Sequence, residues 1–192
     1  MRVIRLSNEH LGLVNKFCAE CVSVGYNNNG SLEAMKWGGK YDLPSGANYW
    51  ALVVNSEIAS ISGSHSYSDT HEELRCLFRS ATLPRYQKLL PGISKTHMNS
   101  VPFSLLLPEQ INWGLDEGYS EFYITTSHGS HDASGKMSRT HRALELLAKQ
   151  NIVEFVRREE YYYTPQTIWR INLPRYWEAV DSFRAGLRDI GF

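Results

Sequence analysis

One mixed α/β domain is what this sequence predicts, on three observations. Its apolar residues switch repeatedly between a period of two and a spacing of three to four, so strands and helices alternate along the chain. Its 192 residues can bury a core without help from a disulfide, metal or partner, and lie close to the length of about 150 typical of one domain. No internal repeat, low-complexity tract or linker divides it, so one domain spans residues 1–192.

The elements follow in order. Val3, Ile4 and Leu6 give a short first strand, and Ser7 or Asn8 caps a helix with Leu11, Val14, Phe17, Cys18, Cys21 and Val22 on its buried face. A polar region, Asn27 to Gly46, contains one helical stretch, Ser31 to Trp37, and reads as a connection or a substrate-side loop. Tyr49 to Val54 and Ile58 to Tyr67 are strands joined by a turn at Asn55-Ser56-Glu57. Glu73 to Ala81 is a third strand, in which Leu74, Cys76 and Phe78 alternate with Arg75, Leu77 and Arg79. Helical spacing resumes from Val101 to Leu115, where Pro108 predicts a kink or restart and Gly118 a stop. Glu121 to Thr126 is a strand, and Thr140 to Gln150 a helix with Ala143, Leu144 and Leu147 on one face. Ile152 to Arg157 and Gln166 to Leu173 form a last strand pair, and Pro174 to Ile190 a helix with Trp177, Val180, Phe183 and Leu187 aligned.

Composition narrows the function classes. Lys plus Arg and Asp plus Glu both number 20, so no global charge draws the chain to nucleic acid or anionic lipid. Cys18, Cys21 and Cys76 cannot all pair within one chain, and with no second ligand pair Cys18 and Cys21 read as core thiols rather than zinc ligands. The first residues, MRVIRLSNEH, lack a signal-peptide core, and no stretch nears the roughly 18 apolar residues of a membrane span. A cytoplasmic protein without membrane or nucleic-acid partners is the expectation.

The order strand, helix, helix, three-strand meander, helix, strand, helix, strand pair is similar to that of the GNAT-like N-acyltransferase superfamily. The similarity covers roughly residues 1–173 and leaves 174–192 as a helical extension. It implies a twisted, mostly antiparallel central sheet flanked by helices. It also implies acetyl-CoA or another acyl-CoA as co-substrate, with transfer to an amine of a small molecule, peptide or protein. The strand Glu73–Ala81, followed by a loop and a helix near Asn99, resembles the family's acyl-CoA site, where a splayed strand meets pantetheine and a helix N-terminus meets pyrophosphate. On that resemblance the sheet splits near Ser80, Ala81 and Thr82, which contact the cofactor. Ser94, Lys95, Thr96 and Asn99 then supply charge and donors to its phosphates.

Two departures stand out. The family's Arg/Gln-x-x-Gly-x-Gly/Ala loop is replaced by Leu90-Pro91-Gly92-Ile93-Ser94-Lys95-Thr96-His97-Met98-Asn99, with one glycine. Aligning Asn151-Ile152 with the family's Gly-Phe puts Leu147 where a Tyr acid commonly stands, and Thr140 where an Asn commonly helps bind cofactor.

Acyl transfer to an amine needs a base. The resemblance implies a base at the start of the central strand, where Glu72 and Glu73 lie on opposite faces, so Glu73 is one candidate, and His65, near the end of the neighbouring strand, is the other. His128, His131 and Asp132 are the densest group of potential metal ligands but lack HExxH spacing, so substrate contact or a solvated loop is the better reading and no metal is assigned. Tyr161-Tyr162-Tyr163 is an aromatic run whose residues read first as half-buried strand positions. No Gly-x-Ser-x-Gly elbow is present, which disfavours a hydrolase triad. Two other readings use the same scaffold: a donor other than CoA, such as acyl carrier protein or aminoacyl-tRNA, and a non-catalytic binding domain.

Overall fold

The computed structural model describes residues 1–25, 48–66, 73–89, 100–127, 139–161 and 164–189. They form the expected mixed α/β, mostly antiparallel architecture and gather into two compact units. One is built from Met1–Leu90 and Ser100–Ser120, the other from Glu121–Phe192. The helical stretch expected at Ser31 to Trp37 lies outside the described residues.

In the first unit, β1 (Arg2–Arg5), β2 (Asn48–Val54), β3 (Glu57–Ser66) and β4 (Glu73–Thr82) lie side by side in that order, each antiparallel to its neighbour. The β2–β3 hairpin turns on Asn55 and Ser56, both left-handed at φ 49° and 65°, as a two-residue turn matched to strand twist requires. Glu57 therefore already pairs with Val54 instead of belonging to the turn.

One face of these strands receives α1 (Leu11–Ser23), which follows a single 3-10 turn, Asn8–His10. The Ser7 N–H donates to His10 Nδ1 at 3.0 Å and closes that entry. Val14, Phe17, Cys18 and Cys21 pack on Tyr49, Ala51, Val53, Ile58 and Ile61. Leu11 and Val22, expected on this face, are 41% and 59% exposed, because the packed stripe is narrower than the apolar one. Arg85 bridges Glu20 of α1 and Glu57 of β3, and Lys16 also reaches Glu57. These exposed pairs contribute about 0–1 kcal/mol each.

The other face carries α2 (Leu107–Asp116) and the π-helical turn Pro102–Leu106 that leads into it. Pro108 falls in the first turn of α2, where its missing N–H costs nothing, so the expected interruption takes the form of a restart. Gly118, at φ 90°, ends the segment.

All three cysteines are buried, and none is in a disulfide. Burial, reinforced by the neighbouring Cys18, pushes the Cys21 thiol up to about 12, and burial raises Cys76 as well. The folded chain at pH 8 should therefore release no thionitrobenzoate from Ellman's reagent on the minute timescale, and three equivalents after denaturation. A fast-reacting thiol in the native protein would contradict this packing.

In the second unit, β5 (Glu121–Ser127), β7 (Thr164–Ile171) and β6 (Val153–Tyr161) are adjacent in that order, again antiparallel. Helix α3 (Arg139–Ala148) buries Leu144 and Leu147, and α4 (Leu173–Asp189) buries Tyr176, Val180, Phe183 and Leu187. Leu173, expected to end the last strand, begins α4. β6 is the outer strand. Its register slips between Phe155 and Arg157, Phe155 is 55% exposed, and the strand continues as Arg157-Arg158-Glu159-Glu160.

Candidate functional site

The first unit concentrates its polar side chains around the middle of β4. Ser60, Ser62 and Ser64 of β3, His65, Arg75 of β4 and Gln110 of α2 are all buried there. Pairing between β3 and β4 slips twice, between Ile61 and Gly63 and again between Gly63 and His65, so β4 carries two extra residues opposite β3. Leu77, within the bulged stretch, adopts φ 55°, a left-handed conformation costly for a side-chain-bearing residue. Its N–H donates to Gln110 Oε1 at 2.9 Å.

Gly63 sits between the two slips and pairs with Tyr49 on one side and Phe78 on the other. A Cβ there would stand 2.6 Å from Tyr49 Cε1, so only glycine lets the ring lie against the strand.

Below the bulges, His65 pairs with Arg75 across the two strands. His65 Nδ1 lies 3.0 Å from the Ser66 carbonyl; since a carbonyl only accepts, Nδ1 carries a proton. Arg75 is 1% exposed, and its guanidinium meets the Glu73 carboxylate at 3.4 Å. Glu73 itself is partly exposed, so the carboxylate links a buried cation to solvent. The sequence brings these groups together through alternation: Glu73 and Arg75 are two apart and share a face. His65 is 2% exposed, which makes Glu73 the more accessible base of the two.

Above the bulges, Ser80, Ala81 and Thr82 stay laddered to β3, with Ile61 opposite Ala81 and Ser60 opposite Thr82. The separation expected at these residues is absent on the β3 side, and the irregularity lies nearer Leu77. The Ser60 hydroxyl donates to the Ala81 carbonyl at 3.0 Å and accepts from Thr82 Oγ1 at 2.8 Å. Ser80 Oγ donates to the Leu77 carbonyl and accepts from Ser62, both at 2.8 Å. Ser80 is exposed.

The second unit has its own buried polar group. Trp169 Nε1–H donates to Thr126 Oγ1 at 3.1 Å, and the same oxygen lies 3.1 Å from His141 Nδ1. The His141 and Trp169 rings meet edge to face at 5.5 Å, and Nε2 faces Glu145 at 3.8 Å.

No protein-family model matches the sequence, and no curated protein does. Solved structures match over most of the chain. An acetyltransferase of the GNAT family from Desulfovibrio desulfuricans aligns with TM-score 0.57 at 12% identity, over 88% of this chain and 96% of that one. The aminoglycoside 6'-N-acetyltransferase from Enterococcus faecium gives 0.57 at 10%, over 88% and 96%. The acetyl transferase from Salmonella typhimurium that modifies the N-terminal serine of ribosomal protein L7/L12 gives 0.53 at 7%, over 88% and 92%. The chain has a GNAT fold.

Within that fold, Leu147 is 1% exposed in the core of the second unit, and Thr140 is exposed in the first turn of α3. Ser94, Lys95, Thr96 and Asn99 lie outside the described residues, as do His128, His131, Asp132, Tyr162 and Tyr163. Arg75, Gln110 and His141 were not singled out from the sequence. Gln110 and His141 each had a signal: a polar residue on a helical apolar stripe, with Ile111 and Leu107 around Gln110 and Leu144 after His141. Among the described residues no helix is long and apolar enough to cross a membrane.

Proposed function

We propose that this chain is an acyl-CoA-dependent N-acyltransferase acting on the amine of a small molecule, peptide or protein. The observation that carries the reading is the twice-bulged β4 in a GNAT fold, with a carboxylate held at its start by a buried arginine. One solved aminoglycoside 6'-N-acetyltransferase of this fold, TM-score 0.57 at 10% identity, is in complex with coenzyme A.

Acyl-CoA supplies the acyl group as a thioester. The chain's own residues do the rest. Glu73 takes the proton from the attacking amine, directly or through water, while Arg75 fixes the carboxylate's orientation. His65, closed in beside Arg75, supports that pair. The exposed Ser80 and its neighbours Ala81 and Thr82 border the cofactor's pantetheine arm. Ser94, Lys95, Thr96, Asn99 and Thr140 hold its polar end. With a leucine at 147, the departing thiolate takes its proton from water or from another donor.

Ligand binding tests this reading without knowledge of the acceptor. Acetyl-CoA at about 100 times its Kd should stabilise the fold by about 2.7 kcal/mol and raise the Tm by about 5–10 °C. Lys95→Ala should weaken CoA more than pantetheine, which lacks the nucleotide phosphates. No melting shift with acetyl-CoA at millimolar concentration would remove the acyltransferase reading, and equal effects of Lys95→Ala on both ligands would move the phosphate site elsewhere.

A further inference from the structure

Gln110 is fully buried on the apolar stripe of α2, between Leu107 and Ile111. Its carboxamide oxygen accepts the Leu77 N–H at 2.9 Å. Its Nε2, also buried, has no hydrogen-bond partner among the described residues. A methionine or leucine would fill the same space without burying an unmatched amide donor, so packing alone does not account for a glutamine. The oxygen does. Leu77 falls in the bulged stretch and has no register partner on β3, and its amide bonds to Gln110 instead. The bond spans 33 residues and joins α2 to the one left-handed residue of β4.

We infer that Gln110 is a positioning residue: by capping the Leu77 amide it holds the strained turn of β4 and so fixes the path of the strand from Glu73 and Arg75 to Ser80. The inference rests on the acyltransferase reading for its effect on turnover. Its structural half stands independently, because Leu77, Gln110 and β4 all belong to the first unit. Released from Gln110, Leu77 would relax toward an ordinary strand conformation, shifting the strand register and moving Glu73 relative to Ser80.

Two readouts test this. Amide hydrogen exchange followed by NMR on labelled Gln110→Met protein should show the Leu77 amide exchanging at least tenfold faster than in the parent. In steady-state assays, Gln110→Met should lower kcat tenfold or more while the calorimetric Kd for CoA stays within threefold. Gln110→Glu, which keeps an oxygen facing the amide, should recover most of the loss. If Gln110→Met does not fold, Gln110→Asn serves in its place, since its shorter side chain withdraws the oxygen. Unchanged Leu77 exchange would overturn the inference whatever the activity. Faster exchange with unchanged kcat would overturn the positioning role. If the parent chain itself neither binds acetyl-CoA nor turns over, the acyltransferase reading falls, while the exchange result still decides whether Gln110 holds the bulge.

Discussion

Glu73→Gln is expected to lower kcat/KM for acyl transfer by about 10²–10⁴, the usual contribution of a positioned general base. The substitution keeps the size of the side chain and its contact with Arg75 but removes the proton acceptor. Coenzyme A affinity should stay unchanged, because the carboxylate sits at the start of β4, seven residues before Ser80. His65→Ala, assayed separately, should cost less, since the imidazole is 2% exposed whereas Glu73 reaches solvent. A Glu73→Gln enzyme that keeps more than a tenth of its turnover would place the base elsewhere.

Gly63→Ala should lower the stability of the fold by about 1–3 kcal/mol, and Gly63→Val by more, through overpacking. The added Cβ would stand 2.6 Å and 2.9 Å from two ring carbons of Tyr49, itself buried and unable to withdraw. Because Gly63 lies between the two register slips, the repair that relieves the clash also disturbs β4. A double-mutant cycle isolates the cause. In a Tyr49→Ala background the Gly63→Ala change should be nearly neutral, giving a coupling of about 0.5–3 kcal/mol. Additive losses in chemical denaturation would show that the ring contact is not what requires glycine here.

The fold was legible where local pattern and tertiary demand agree. Alternation located β2 through β4, and Pro108 and Gly118 marked the start and stop of α2, because each acts on the backbone within a few residues. The site was legible only in part. Glu73 and His65 could be nominated because the residue types suit proton transfer and lie on successive strands. The burial of Arg75 was not legible: alternation shows which residues share a face of β4 but not which face is covered. The bulges at Leu77 were hidden for a related reason. They depend on the register between β3 and β4, and no glycine or asparagine announces the left-handed residue. Gln110 and His141 interrupt apolar stripes, a signal that was present but indistinguishable from a surface position until the burial was known.

The outer strand β6 has a consequence for how the protein behaves in concentrated solution. An outermost strand carrying the exposed Phe155 is the kind of rim onto which another polypeptide can zip. The register slip at Val156 interrupts that rim, and the exposed charges of Arg158 and Glu160 disfavour the docking of a foreign strand. β6 is thereby a poor template for cross-β growth, although it is the last strand in the order.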